Sequence, residues 1–387
     1  MTTATMNISS TDTPAVAGGP IRVLLAAGGT GGHVYPAIAI ADAIKDRSPD
    51  SEILFVGTRD RMEWQTVPKS GYEIKSVWIS GFHRRLTPQN LLFPVKLLTS
   101  IIQSYSILNS FKPDVVISCG GFAAGPIGWV AAKKGIPIVI QEQNSYPGVT
   151  NKLLAKHASM IFTAFEDAAD YLPKEKISLT GNPVRKQLTK SDRSVSLEQF
   201  GFKKKRPVLL VLGGSGGALA LNNAIKEHIE ELHDSLGIQI IWQCGKKYYD
   251  GLKQTVDVEE FSGLRLVPYI ENMPAAYSAA DLVLTRAGAS TCSELMLLGQ
   301  PAILVPSPNV AGDHQSKNAQ SMVDAGAAVR LNEKKLVGKL PDTVKQIIFD
   351  HEKLNKMSKA MSGLAKPNAA STIAKEIFTL VTNRDNE

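Results

Sequence analysis

The sequence predicts an α/β protein of two similar domains, each a parallel sheet wrapped in helices, facing one another across a cleft. Three observations predict it. At 387 residues the chain exceeds what one ordinary core encloses. Short apolar runs of strand length alternate with helical stretches throughout, the pattern of a parallel sheet with crossover helices. Two glycine turns of nearly the same wording stand about half a chain apart: Gly28-Gly29-Thr30-Gly31-Gly32-His33 follows the apolar run 21–27, and Gly213-Gly214-Ser215-Gly216-Gly217-Ala218 follows 208–212. A strand feeding a glycine turn and then a helix turns free N–H groups and the positive end of a helix dipole towards an anion. One such turn in each domain is expected to grip a phosphorylated ligand from both sides of the cleft.

In the first half, residues 21–27, 52–57, 115–118 and 137–141 read as strands, being short β-rich runs that end in Gly or polar residues, and residues 36–46 and 91–111 read as helices. The second half repeats the scheme with strands at 208–212, 238–244, 264–267, 281–285 and 302–305. Between them, Gly181-Asn182-Pro183 and the basic cluster Lys203-Lys204-Lys205-Arg206 mark residues 180–207 as a linker. The expected organisation is a tail over 1–19, a first domain over 20–183, a second over 184–366, and a closing segment over 367–387 whose helix crosses back onto the first domain. Ligands of open parallel sheets bind beyond the carboxyl ends of the strands.

A hydrophobic share of 43% and a charged share of 20% belong to a soluble globular protein. Cys119, Cys244 and Cys292 are widely spaced and form no CxxC, which supports neither a disulfide framework nor a zinc site and fits a reducing cytoplasm. Residues 1–19 lack a basic stretch followed by an apolar one, so they read as a disordered tail and not as a secretory signal. No run of roughly 18 residues is free of polar interruptions, so a membrane would be met from outside. Of the net charge of +7 nearly all lies between His83 and Lys156, where eight Lys and Arg stand against two acids. The basic face belongs to the first domain.

Each candidate site has a plain reading beside the functional one. Neither glycine turn completes a dinucleotide fingerprint, since Val34 and Leu219 stand where Gly or Ala is required, and the strand ending Val56-Gly57-Thr58 lacks an acid for a ribose. A nicotinamide enzyme is disfavoured. His33 either packs locally or, held neutral by the helix N-terminus, accepts a proton. In Arg286-Ala287-Gly288-Ala289-Ser290-Thr291-Cys292-Ser293-Glu294, the Thr291–Glu294 spacing is that of a capping box, while a carboxylate there could equally take both hydroxyls of a ribose. Asp313-His314-Gln315-Ser316-Lys317-Asn318 is an ordinary polar loop or a sugar-recognising one. Gly120, Gly121 and Gly125 add a backbone-rich surface, and Gln141-Glu142-Gln143-Asn144 puts amides and a carboxylate at the cleft. Phe82, Arg84, Arg85, Leu91, Leu92, Phe93 and Lys96 mix apolar bulk with cations, as a buried helix would, or as an apolar lip that docks onto an anionic leaflet. Aromatic platforms are too sparse for nucleic acid.

Seven motifs in order resemble the MurG family of bacterial transferases: GGTGGH at 28–33, GG-x3-GP at 120–126, EQN at 142–144, GNPVR at 181–185, GGS-x-GA at 213–218, R-x-GA-x-T-x-x-E at 286–294 and DHQ-x-KNA at 313–319. The resemblance covers nearly the whole chain from about residue 21 and implies the GT-B architecture, two Rossmann-like domains around a deep cleft. It implies transfer of N-acetylglucosamine from UDP-N-acetylglucosamine to the C4 hydroxyl of a lipid-linked muramyl-pentapeptide, with inversion and with no cofactor or metal. By matching positions, Ser215 and its turn would meet the diphosphate, Arg185 the nucleotide, the Ile270 backbone the uracil, and Glu294 the ribose, with Arg286 meeting the charge of the leaving group. Gln315 and Asn318 would recognise the sugar; Ala289, Ser290 and Thr291 belong to the donor site, completed by Thr30, Gly31, Gly32 and Asn144. Gly120, Gly121, Gly125, Glu142 and Asn151 would face the acceptor, with His33 as base. The implied setting is the cytoplasmic face of the bacterial inner membrane, beside wall-building and division proteins. Two departures from the family pattern are Gln141, where a His is frequent, and Phe122-Ala123-Ala124, which removes hydroxyls from the third loop. The alternatives are a UDP-N-acetylglucosamine 2-epimerase and a non-catalytic sugar-nucleotide sensor.

Overall fold

The computed structural model of the protein describes residues 19–81, 92–184, 188–214, 216–310 and 313–385. In the first half, β1 (Arg22–Ala26), α1 (Gly31–Arg47), β2 (Glu52–Gly57), α2 (Glu63–Lys69), β3 (Glu73–Ser76), α3 (Phe93–Phe111), β4 (Val115–Ser118), α4 (Ala124–Lys133), β5 (Ile138–Glu142), α5 (Val149–Ala155), β6 (Met160–Thr163) and β7 (Ile177–Leu179) follow one another. The second half runs α6 (Arg193–Gln199), β8 (Val208–Leu212), α7 (Leu219–Glu227), β9 (Gln239–Gln243), α8 (Lys246–Thr255), β10 (Leu264–Val267), α9 (Met273–Ala279), β11 (Leu282–Thr285), α10 (Ala289–Leu298), β12 (Ala302–Leu304), α11 (His314–Asp324), β13 (Ala328–Arg330), α12 (Leu336–Ile348), α13 (His351–Gly363) and α14 (Ala369–Asp385).

Two wholly parallel sheets result, in the orders β3-β2-β1-β4-β5-β6-β7 and β10-β9-β8-β11-β12-β13. The α/β class is as the sequence predicts. Strand order reverses beside β1 and beside β8, so both glycine turns leave the sheet at a switch point, where ligands of such sheets gather. The central strands VLLVL and VVIS are buried on both faces, which is why they stand out as unbroken apolar runs. Strands β3, β6, β7 and β13 escape the sequence reading; β3 and β7 are half-exposed edges without an unbroken apolar run. The linker is not bare chain either, since it carries α6, capped by the Asp192 carboxylate on the Val195 N–H at 3.0 Å.

Helix α1 starts at Gly31, not at Pro36, so His33 already lies in its first turn. Proline favours a first helical position, which misleads the reading; here it sits inside, and its missing N–H leaves the Gly32 carbonyl outside the helical ladder. Helix α14 lies along α1, burying Ile373, Ile377 and Phe378 in one cluster with Val23, Ile40 and Ile44. The chain's last helix therefore seals the face of the first sheet under the first glycine turn. Phe378→Ala removes a fully buried ring from that seam and is expected to lower stability by about 3–5 kcal/mol, read in urea melts, with the second domain's core untouched.

Candidate active site

The first glycine turn is built around a carboxylate that the motif does not contain. Glu63, fully buried at the start of α2, accepts hydrogen bonds from Gly29 N at 3.0 Å, Thr58 N at 3.0 Å and Thr58 Oγ1 at 2.9 Å. Gly28 and Gly57 make room for it: a Cβ on either would lie 2.6 and 2.5 Å from its side chain. His33 projects from α1 and its Nδ1 lies 2.8 Å from the Gly28 carbonyl, so Nδ1 carries the proton and donates it there. Nε2 then keeps its lone pair, beside Gly120, where a Cβ would come within 3.1 Å of it. Burial lowers the His33 pKa below its ordinary 6.5, and His314 adds to the depression against the opposing pull of the Gly28 carbonyl, Glu142 and Glu63.

Expectation and structure part at this turn. The Gly29 N–H is engaged by a buried negative charge and the His33 N–H by the Thr30 carbonyl at 3.1 Å, so the turn does not cradle a phosphate at Gly29. The second turn is braced by a neutral amide: Gln243 Nε2 donates to Gly214 O at 3.0 Å, and its Oε1 accepts from Gly213 N at 3.1 Å. Similar glycine patterns thus rest on different groups, a carboxylate under the first and a neutral amide under the second.

The loop after β5 is organised by Glu142, which is 1% exposed. Its Oε1 accepts from Asn144 N at 3.0 Å and its Oε2 from Gly148 N at 3.1 Å and Asn151 Nδ2 at 2.8 Å. Asn151, equally buried, accepts from Ser118 Oγ at 2.9 Å. Both side chains are buried and hold the loop from beneath. Gln141, in the place of the frequent His, donates to Asn182 Oδ1 at 3.2 Å and ties β5 to the linker.

Asn318 is engaged in the same way. Fully buried on α11, it accepts from Ser145 N at 3.0 Å and Ser145 Oγ at 2.9 Å, and donates to Ala287 O at 3.1 Å and Asn144 Oδ1 at 3.4 Å. Its hydrogen-bonding capacity is filled within the protein, and it pins the two domains together. Around it, Lys317 Nζ donates to Tyr171 OH at 2.8 Å and Ser321 Oγ to Asp167 at 2.6 Å, both across the same gap.

Opposite the first turn stands the start of α10. A Cβ on Gly32 would lie 4.0 Å from Ser290 Oγ, a buried hydroxyl with no hydrogen-bond partner among the described residues. Ala289, Thr291 and Glu294 share this helix, whose N-cap is Gly288; Thr291 is already inside it, so the capping-box reading of Thr291 and Glu294 does not hold. The Glu294 carboxylate instead takes the Tyr277 hydroxyl at 2.9 Å. Arg286 donates to Val305 O at 3.1 Å and pairs with Glu333, which binds it to the second domain's own framework. Gln315 is half-buried, its Oε1 held by Ser307 N at 2.8 Å, and Ile270 is buried in the core of the second sheet. Thr30 is exposed, and Gly31, Asn144, Gly121 and Gly125 are partly so.

Ser215, Arg185, Phe82, Arg84, Arg85 and Leu91 lie outside the described residues. Of the apolar lip, Leu92 is exposed, Phe93 packs into the first domain, and Lys96 donates to Ser80 Oγ at 3.0 Å. No cluster of His, Cys, Asp and Glu among the described residues could hold a metal ion. Glu63 is the residue organising the first turn that motif reading missed; its only signal is an acid near the start of a helix following Gly57-Thr58.

Residues 23–163 match the glycosyltransferase family 28 N-terminal domain and residues 208–376 the family 28 C-terminal domain. The chain is 45% identical over 94% of its length, and 99% of the relative's, to the UDP-N-acetylglucosamine--N-acetylmuramyl-(pentapeptide) pyrophosphoryl-undecaprenol N-acetylglucosamine transferase of Christiangramia forsetii. It belongs to the MurG family. The crystal structure of Acinetobacter baumannii MurG superposes with a TM-score of 0.74 at 28% identity, over 94% of this chain and 100% of that one. A Listeria monocytogenes protein described as a putative UDP-N-acetylglucosamine 2-epimerase shares the fold, at 14% identity and a TM-score of 0.64 over 94% of this chain and 97% of that one. Family membership makes the chain a glycosyltransferase.

Asn318→Ala strips partners from Ser145, Asn144 and Ala287 at once. It is expected to destabilise the protein by roughly 2–3 kcal/mol in a denaturant melt and to lower kcat, since the α10 face and the His33 face lose their common anchor.

Proposed function

We propose that this protein transfers N-acetylglucosamine from UDP-N-acetylglucosamine to the C4 hydroxyl of a lipid-linked muramyl-pentapeptide, with inversion, at a membrane surface. The carrying observation is the His33 imidazole, whose proton sits on Nδ1 and whose Nε2 is left as acceptor at the turn facing α10. The relatives' printed name supplies the donor and the acceptor. In the proposed step Nε2 takes the proton of the C4 hydroxyl, its oxygen forms the bond to the anomeric carbon, and the sugar–phosphate bond breaks with its electrons going to UDP. The second glycine turn and the N-terminus of α7 would meet the charge that develops on the diphosphate. Residues 184–366 would form the donor lobe and residues 20–183 the acceptor and membrane lobe. Ser215 and Arg185 would meet the donor's diphosphate and nucleotide, Glu294 its ribose and Gln315 its sugar.

The membrane part of the proposal rests on α3. A helix that reads as core buries only Ser100, Ser104, Ile107 and Leu108, and shows Leu92, Val95, Leu98, Ile102 and Tyr105 along one stripe to solvent. Exposed Trp78 and Trp129 extend it, with Lys96 and Lys133 over their rings. Such an apolar stripe fringed by cations suits an anionic leaflet. No helix among the described residues is long and apolar enough to cross a membrane.

UDP release should require the lipid-linked acceptor; UDP-N-acetylglucosamine turned over alone by epimerisation would support the alternative enzyme. His33→Ala should lower kcat by about 10²- to 10⁴-fold. The base works in its neutral form, so kcat/KM should hold at high pH and fall only as pH drops below 6.5 through the lowered His33 pKa. Leu98→Glu combined with Ile102→Glu should weaken binding to anionic vesicles in a flotation assay at unchanged donor affinity.

A further inference from the structure

We infer that Glu63 is a positioning residue for His33, acting through the single peptide group between Gly28 and Gly29. The geometry is a chain of three groups. The Glu63 carboxylate accepts the Gly29 N–H at 3.0 Å; the carbonyl of that same peptide group belongs to Gly28; and that carbonyl accepts the His33 Nδ1–H at 2.8 Å. A carboxylate on the N–H side draws the peptide's electrons towards its oxygen, and linked hydrogen bonds strengthen one another in this way. The carbonyl becomes a better acceptor, fixes the proton on Nδ1 and makes Nε2 more basic. Many enzymes set a carboxylate directly against the histidine for this purpose. Here a peptide bond stands between them, so the negative charge stays beneath the turn, away from a phosphorylated substrate.

The surroundings fit this role. Glu63 is fully buried and meets three donors, two of them from Thr58, which hold its second oxygen while leaving one aimed at Gly29. Two glycines yield the space it occupies, and a third, Gly121, lets the neighbouring loop close over the Gly28 carbonyl, where a Cβ would fall 2.5 Å from the oxygen. The Glu63 field also opposes the depression of the His33 pKa.

The catalytic half of the inference rests on His33 being the base, and the test separates the two. Nitrogen-15 NMR of the imidazole in the full-length wild-type protein should find the neutral His33 ring protonated at Nδ1. A ring protonated at Nε2 overturns the inference without need of any variant. Glu63→Gln cannot satisfy both the Gly29 and Thr58 N–H groups and carries no charge. It should move the His33 titration and the acid limb of kcat/KM to lower pH together, and lower kcat about 10- to 100-fold with donor KM changed less than about threefold. A folded Glu63→Gln protein whose His33 titrates where the wild type does overturns the inference, whatever its activity. If the titration moves but His33→Ala keeps its turnover, the relay stands and the assignment of His33 as base falls.

Discussion

The site depends on a buried polar seam that leaves no domain free to choose its own orientation. Asn318 alone satisfies the backbone and side chain of Ser145, the side chain of Asn144 and the carbonyl of Ala287, and it does so where water is excluded. Each such hydrogen bond contributes only about 1 kcal/mol net, but an unmatched partner left in the seam costs up to about 3 kcal/mol. The penalty for parting is what fixes the pairing. It sets the first turn against α10, so that His33 from one domain and the helix carrying Ser290 and Glu294 from the other share one space.

Within that space the two glycine turns differ in the group beneath them. A carboxylate lies under the first and an amide under the second, beneath nearly identical backbone wording. In the proposed transfer a phosphate beside buried Glu63 would meet repulsion, whereas at the second turn it would lie by the N-terminus of α7. The chemistry proposed for the family needs this asymmetry, because the attacking hydroxyl must lose a proton as the departing diphosphate gains charge.

The loop after β5 keeps its charge inside. Glu142 and Asn151 serve it from below, while Asn144 and the glycines at 121 and 125 are partly exposed. The three cysteines are all buried, and burial pushes their thiols up, Cys292 to about 12, which leaves them as packing groups and not as nucleophiles.

By itself the sequence determined the α/β class, the central strands and the two turns, since buried parallel strands are unbroken apolar runs and glycine turns are local. It located His33 at a helix start and the ordered motifs of a glycosyltransferase family. It did not determine which polar residues are exposed. Amides and carboxylates at strand ends serve ligands and loops alike, and the hydrogen bonds that Glu142, Asn151 and Asn318 make emerge only from packing that reaches across 173 residues, as between Ser145 and Asn318. Nor could it pair Glu63 with Gly29, 34 positions away, or turn the apolar face of α3 outward. Hydrogen-bond saturation and burial are properties of a site's neighbours in space, and the tertiary structure alone decides who they are.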